Sequence, residues 1–308
     1  MNQQEYEELY DKWVNRDLYH NFWTEELAKQ YNMSSREALR SALRRYRKTG
    51  RVPKKGAKIL LFDIETSPIN ALVWGIWEQN INIEAILQDW HLVSWSAKWL
   101  FDDGIISDVL TSKEAINHDD ERIAKSIWEL LNQADITVAH NGDKFDHKML
   151  NTRFLVHNLP PLSHYKSIDT LVVAKSSFRF TSNSLAYINQ YLGIPEKTKT
   201  TFDLWKRAFF GEEEALEIMK TYNENDVFIL EELFLKLRPY IKNFPNMNLY
   251  TEENTTVCRN CGSKNLTWSG YYYTNVNRYR GWRCNSCGAI GRDRHSDIEK
   301  EKKETIVV

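Results

Sequence analysis

The chain has 308 residues, 42% apolar and 13% aromatic, with 41 basic against 42 acidic side chains. That is enough for one substantial packed core with smaller attachments, while no window long enough to cross a bilayer is free of charge. The acidic, amphipathic N-terminus is unlike a secretory signal, so the expectation is a cytoplasmic protein with no membrane partner.

Charge is unevenly spread. Residues 36–58 carry ten Lys/Arg against one acid, 258–294 carry seven against one, and 59–257 carry 18 against 29. An acidic middle between basic ends suits a protein that collects divalent cations centrally and grips a polyanion at its edges, although each basic run alone also describes ordinary solvated charge.

In chain order, helices are expected over 24–31 and 34–48, joined by an Asn-Met-Ser turn. Ser34 and Glu37 form the S-x-x-E pattern of a capping box. Leu27, Ala28, Tyr31, Met33, Leu39, Ala42, Leu43 and Tyr46 recur at helical spacing and make a small common core. Arg36, Arg40, Arg44, Arg45, Arg47 and Lys48 fall on or near the second helix, so this module, 1–52, resembles a DNA-binding helix-turn-helix, with a plain helical subdomain or an oligomer contact as the alternatives. Lys54-Lys55-Gly56 reads as a linker.

The segment 57–245 opens with a buried strand over 58–62. Further strands are expected over 69–77, 91–99, 104–111 and 135–139, and helices over 119–132 and 143–157. From about 168 to 240 the pattern is a series of helices. Strands first and helices afterwards imply an α/β fold, a mixed sheet covered by helices.

The third segment, 252–294, holds all four cysteines. Cys258-x-x-Cys261 and Cys284-x-x-Cys287 are each followed by glycine (Gly262, Gly288), the pattern of zinc knuckles in which glycine permits the tight turn behind the thiolates. With a hairpin over 266–273 and 279–283 this makes a zinc ribbon holding one structural Zn²⁺, with two disulfides as the alternative. Trp268, Tyr271, Tyr272, Tyr273, Tyr279 and Trp282 interleave with Arg278, Arg280 and Arg283, a composition suited to base stacking and phosphate contact, with a protein-docking ribbon as the alternative. The charged tail, 295–308, is expected to be disordered.

Three places in the middle segment put acids where a core pattern does not ask for them. In Ile59-Leu60-Leu61-Phe62-Asp63-Ile64-Glu65-Thr66, four apolar residues lead into two carboxylates on one side of a strand. Such a pair is stable mainly with cations between its members, although a strand running out into a polar turn has the same pattern. His140-Asn141-Gly142-Asp143-Lys144-Phe145-Asp146 lies where a strand gives way to a helix, a place where capping alone favours Asp. In the third, Tyr222 and Asp226 are four apart on a long helix and precede an apolar run, so they share an inward face, where an unpaired carboxylate is costly. Oxygen ligands without His or Cys suit Mg²⁺ or Mn²⁺, and two such ions can activate water and steady the leaving oxygen in phosphodiester cleavage.

Together, and in this order, these segments resemble the three motifs of the DEDDy 3′–5′ exonucleases, the group that includes DnaQ-like nucleases and the proofreading domains of family B DNA polymerases. The resemblance covers about 57–240 and implies a ribonuclease H-like fold. It also implies that Asp63, Glu65, Asp146 and Asp226 bind two metals, that Tyr222 orients the attacking water, and that Thr66 and Asn141 contact substrate near its 3′ end. Thr221 stands where the sister group has His. Asp143 is left as a helix cap, and Asp169 as an exposed residue that hydrogen-bonds locally or lines the cleft, outside the first metal shell. The resulting expectation is a metal-dependent exonuclease acting on DNA. RNA cleavage, endonucleolytic cutting and an inert DNA-binding regulator are the alternatives.

Overall fold

The computed structural model describes residues 25–36, 56–194, 200–251 and 255–307, with Glu5, Tyr6, Leu9, Ala38, Leu39, Ala42 and Leu43 besides. It divides into two compact units, Met1–Ala57 with Asn246–Leu266, and Lys58–Pro245 with Thr267–Val308.

In the first unit, helix α1 (Glu25–Gln30) ends at Asn32, whose positive φ of 53° lets the chain turn back. The Asn32 N–H reaches the Lys29 carbonyl at 3.0 Å and the Met33 N–H the Ala28 carbonyl at 2.9 Å, the paired closure of a Schellman motif. The next helical stretch is capped one residue later than expected: Ser35 Oγ, not Ser34, accepts the Ala38 N–H at 3.1 Å. Leu27, Ala28, Tyr31, Met33, Leu39, Ala42 and Leu43 pack together as the periodicity requires, joined by Tyr6 and Leu9. Glu37, Arg40, Arg44, Arg45, Tyr46, Arg47, Lys48 and Lys54-Lys55 lie outside the described residues.

The second unit is built on a five-stranded sheet in the order β5-β4-β1-β6-β7. Its strands are β1 (Ile59–Thr66), β4 (Leu92–Trp99), β5 (Ile106–Val109), β6 (Ile136–Ala139) and β7 (Lys166–Asp169). β4 runs antiparallel to β1 and β5, whereas β6 and β7 run parallel with β1. Because strand side chains alternate, Leu60, Phe62 and Ile64 face one side of β1 and Leu61, Asp63 and Glu65 the other.

The apolar side carries α2 (Ser112–Asn117), α3 (Glu121–Leu131) and α4 (Asp146–Val156). Phe62 meets His147 of α4 at 5.2 Å, and Trp95 Nε1 donates to Ser126 of α3. Asp120, just before α3, ties this layer together by accepting the Leu92 N–H, Arg153 and His157. Burial works against its charge, but Arg153, the Leu92 N–H and His157 outweigh it and hold the carboxyl below its usual range.

The series of helices expected after 168 consists of α5 (Thr170–Ser177), α6 (Leu185–Tyr191), α7 (Phe202–Phe209) and the long α8 (Glu213–Leu237), which packs across β1, β4 and β5. The strand expected over 69–77 is contradicted. Only β2 (Asn70–Ala71) pairs, with β3 (Ile86–Gln88), and Leu72, Trp74, Ile76, Trp77 and Ile83 stand exposed on the arm between them. Its apolar residues mimic a buried strand, but the part of it that pairs does so with β3 and not with the main sheet.

A second sheet, in the order β10-β9-β8, comprises β8 (Leu266–Tyr273), β9 (Arg278–Cys284) and β10 (Ile290–Arg292). The tail is not featureless as expected. The Asp297 N–H bonds the Arg278 carbonyl at 2.7 Å, the two side chains pair at 3.2 Å, and Lys300–Glu304 form a short helix, α9.

Candidate functional site

β1 and α8 build the acidic site. Asp63 and Glu65 leave the strand on the same side, and α8 lays Asp226 against them. One carboxylate oxygen from each of the three lies within 4.8 Å of the others. Asn223, fully buried one turn before Asp226, donates from Nδ2 to Asp63 Oδ2 at 2.6 Å and fixes that carboxylate. Tyr222 is buried on the same helix, its ring edge-on to Trp205 of α7 at 5.9 Å.

Asp146 is not one of the three clustered acids. It opens α4 alongside β1, and its carboxyl accepts from the Ile64 backbone N–H. Burial pushes it up to about 7; hydrogen bonds from its own backbone and that of Ile64 act against the rise, and the nearby Asp169 carboxylate adds to it.

The loop that delivers Asp146 is tightly determined. Asn141 sits at φ 71°, and a Cβ on Gly142 would lie 2.6 Å from the Ala139 Cβ, so only glycine fits there. Asp169 is buried rather than exposed, correcting the expectation. It accepts the backbone N–H groups of Asn141 (2.9 Å) and Asp143 (3.3 Å) from this loop, and those of Leu171 (2.9 Å) and Val172 (3.3 Å) at the start of α5. Asp143 is not a helix cap: α4 begins three residues later, and Asp143 accepts the Ser167 hydroxyl at 2.5 Å. His140 is held at both ring nitrogens, by Thr170 Oγ1 and by the Asn183 carbonyl to which Nε2 donates. Thr66 ends β1, opposite Leu92.

Sequence reading missed the polar lining. In register, Ser96 lies opposite Asp63 and Ser94 opposite Glu65, both fully buried. Their hydroxyls, and the Asn223 side-chain oxygen, have no protein partner among the described residues. Buried polar atoms are normally satisfied, so unused hydroxyls beside clustered carboxylates fit a place that takes hydrated cations. Farther along the same face, Lys98 pairs with Glu231 of α8 at 2.5 Å. The signal was present as the alternation Ser94-Trp95-Ser96-Ala97-Lys98, polar at every second position of a strand buried on both faces.

The second candidate centre has a different donor set. The sulfurs of Cys258, Cys261, Cys284 and Cys287 all lie within 4.8 Å of one another, an arrangement suited to one tetrahedral ion rather than to two disulfides. Each knuckle closes identically: the Gly262 N–H reaches the Cys258 carbonyl and the Gly288 N–H the Cys284 carbonyl, with φ of 76° and 78°. Trp282 is not the surface ring its composition suggested. It is buried across Gly291, where a Cβ would lie 2.1 Å from its ring.

A family model of the RNase_H superfamily (RNase_H_2) matches residues 100–238, a span that includes Asp146, Tyr222 and Asp226 and leaves out β1. A family B DNA polymerase from the hyperthermophilic archaeon Pyrobaculum calidifontis is similar at 13% identity and a TM-score of 0.42, over 59% of this chain and 25% of the polymerase chain. The chain thus spans a quarter of that polymerase's length. No curated protein matches it. The five-stranded mixed sheet flanked by helices, with the family match inside it, is a ribonuclease H-like fold.

Proposed function

We propose that the chain is a divalent-metal-dependent nuclease that removes nucleotides from the 3′ end of DNA. The observation that carries this reading is the convergence of Asp63, Glu65 and Asp226 within 4.8 Å, with Asp146 buried beside them against Ile64. Three carboxylates so close repel unless cations lie between them, and an all-oxygen donor set suits Mg²⁺ or Mn²⁺. When bound, the two ions supply a water acidic enough to attack at neutral pH and neutralise charge on the leaving oxygen.

The chain's own groups do the rest. Asp63, Glu65, Asp146 and Asp226 hold the ions, with Asn223 fixing the Asp63 carboxylate. Tyr222, its ring pinned on Trp205, orients the attacking water. Thr66 and Asn141, at the ends of the two delivering segments, contact the terminal nucleotide. The four cysteines hold one structural Zn²⁺, and the ribbon and the basic N-terminal module serve as nucleic-acid contacts outside the cleavage site.

The test is degradation of 3′- and 5′-labelled single-stranded DNA and RNA by the purified protein with Mg²⁺ or Mn²⁺, beside Asp63→Ala and Asp226→Ala. Stepwise mononucleotide release from the 3′ end, abolished in both variants, is expected. Internal cuts would replace the exonuclease with an endonuclease, preference for RNA would change the substrate, and binding without cleavage would leave an inert regulator.

A further inference from the structure

The ribbon sheet has two faces, and a single backbone irregularity decides which rings share one. β8 is an edge strand, exposed along nearly its whole length. Strict alternation would place Trp268 with Tyr272 and set Tyr271 and Tyr273 on the other face. Gly270, however, has φ 71°, the left-handed geometry of a glycine bulge, which inserts one residue and resets the alternation beyond it. Gly281 is what lets the strands stay close there, since a Cβ on it would approach the Ser269 carbonyl at 3.0 Å.

The ring contacts agree with the reset. On β9, Arg278 and Arg280 share a face, and they lie over Tyr271 (4.6 Å) and Trp268 (5.1 Å). Tyr273 joins that row, 6.3 Å from Tyr271. Tyr272 instead meets Tyr279 and Arg292 on the opposite face, where the Arg292 guanidinium lies over the two rings at 5.3 and 3.9 Å. The first face therefore carries a row of three rings along one strand, Trp268, Tyr271 and Tyr273, 37%, 51% and 67% exposed. The second carries no such row: Tyr272, 52% exposed, is paired there with Tyr279 of the neighbouring strand and with Arg292. No Asp or Glu occurs between Lys264 and Arg292, so nothing on these strands repels a polyanion.

We propose that the Trp268–Tyr271–Tyr273 face is a track for single-stranded nucleic acid, with successive bases stacking on the rings and Arg280 and Arg278 meeting the backbone. Half-exposed aromatic rings interleaved with guanidinium groups suit unpaired bases, whose faces are open, better than a duplex, whose base faces are covered. Arg278 is partly neutralised by Asp297, so Arg280 carries more of the phosphate attraction. This rests on the nucleic-acid reading of the chain but not on its cleavage chemistry.

The experiment is fluorescence anisotropy on the full-length protein carrying Asp63→Asn and Asp226→Asn, with labelled single-stranded oligonucleotides and a duplex of the same length. Trp268→Ala and Tyr271→Ala should each weaken single-strand binding about tenfold, while Tyr272→Ala on the opposite face leaves it unchanged. Trp268→Phe, which keeps a stackable ring, should retain binding, and zinc content should stay constant across the series. Equal losses from both faces, a Trp268→Phe defect as large as that of Trp268→Ala, or a duplex bound as tightly as the single strand would each overturn the proposal. Binding that follows the ring variants in a protein whose parent sequence cleaves nothing would keep the track and discard the nuclease; cleavage with ring-independent binding would do the reverse.

Discussion

The two ligand clusters are made in opposite ways. The four cysteines come from two copies of one local turn, each closed by its own glycine at positive φ, so two short segments specify the whole donor set. The carboxylates come from a strand end and the middle of a helix; the hydrogen bond joining Asn223 to Asp63 spans 160 residues. Beside the carboxylates, the hydroxyls of Ser94 and Ser96 and the Asn223 oxygen are left without protein partners among the described residues. Four thiolates fill a tetrahedral ion's coordination shell, whereas carboxylates with spare polar neighbours leave positions for water and substrate. A closed shell serves folding and an open one serves chemistry. The contrast teaches that the number of partners a site leaves unused separates these roles better than ligand count does.

The largest effect that would sharpen this comparison is at the cysteines. Cys284→Ser should release zinc and unfold the ribbon, since structural zinc in small modules contributes on the order of 10 kcal/mol of folding free energy. Zinc analysis with limited proteolysis checks it, and Asp63→Asn should leave the zinc content untouched. Next, Asp63→Asn and Asp226→Asn should each lower the cleavage rate about 10²–10³-fold, the scale of losing one preorganised charge-stabilising group. Both should also raise the melting temperature of the Mg²⁺-free protein, because a repelling carboxylate is gone. A fall in that melting temperature would mean the acids are satisfied without cations.

Asn223→Ala removes the donor to Asp63 without removing a ligand. Its expected cost is about 10–100-fold in Mg²⁺ half-saturation, the usual scale for groups that orient ligands, read from activity against metal concentration. The smallest effect is Gly142→Ala, where the new methyl group meets Ala139. Urea unfolding should show a loss of about 1–3 kcal/mol.

What was legible in the sequence follows from how local each feature is. The knuckles, the strand leading into Asp63-x-Glu65, and the inward pairing of Tyr222 with Asp226 are short-range patterns, and the structure brings Asp63, Glu65 and Asp226 together. Asp169 caps α5 through partners two and three residues on, a local pattern, but its hold on the Asn141 loop and the role of Asn223 depend on partners 28 and 160 residues away, and no local pattern announces those. The apolar stretch 69–77 misled because strand propensity does not say whether a neighbouring strand is available to pair. The ribbon's faces were hidden for a third reason: composition gave the rings, but the backbone turn at Gly270 decides which of them stand together.

The central claim is that the carboxylates, and not the cysteines, hold exchangeable divalent ions. Calorimetric titration of Mn²⁺ into the full-length, zinc-loaded protein, beside Asp226→Asn, tests it most directly. The account predicts Mn²⁺ binding to the parent chain and its loss in the variant, with zinc content equal in both. Undiminished Mn²⁺ binding by Asp226→Asn would contradict it.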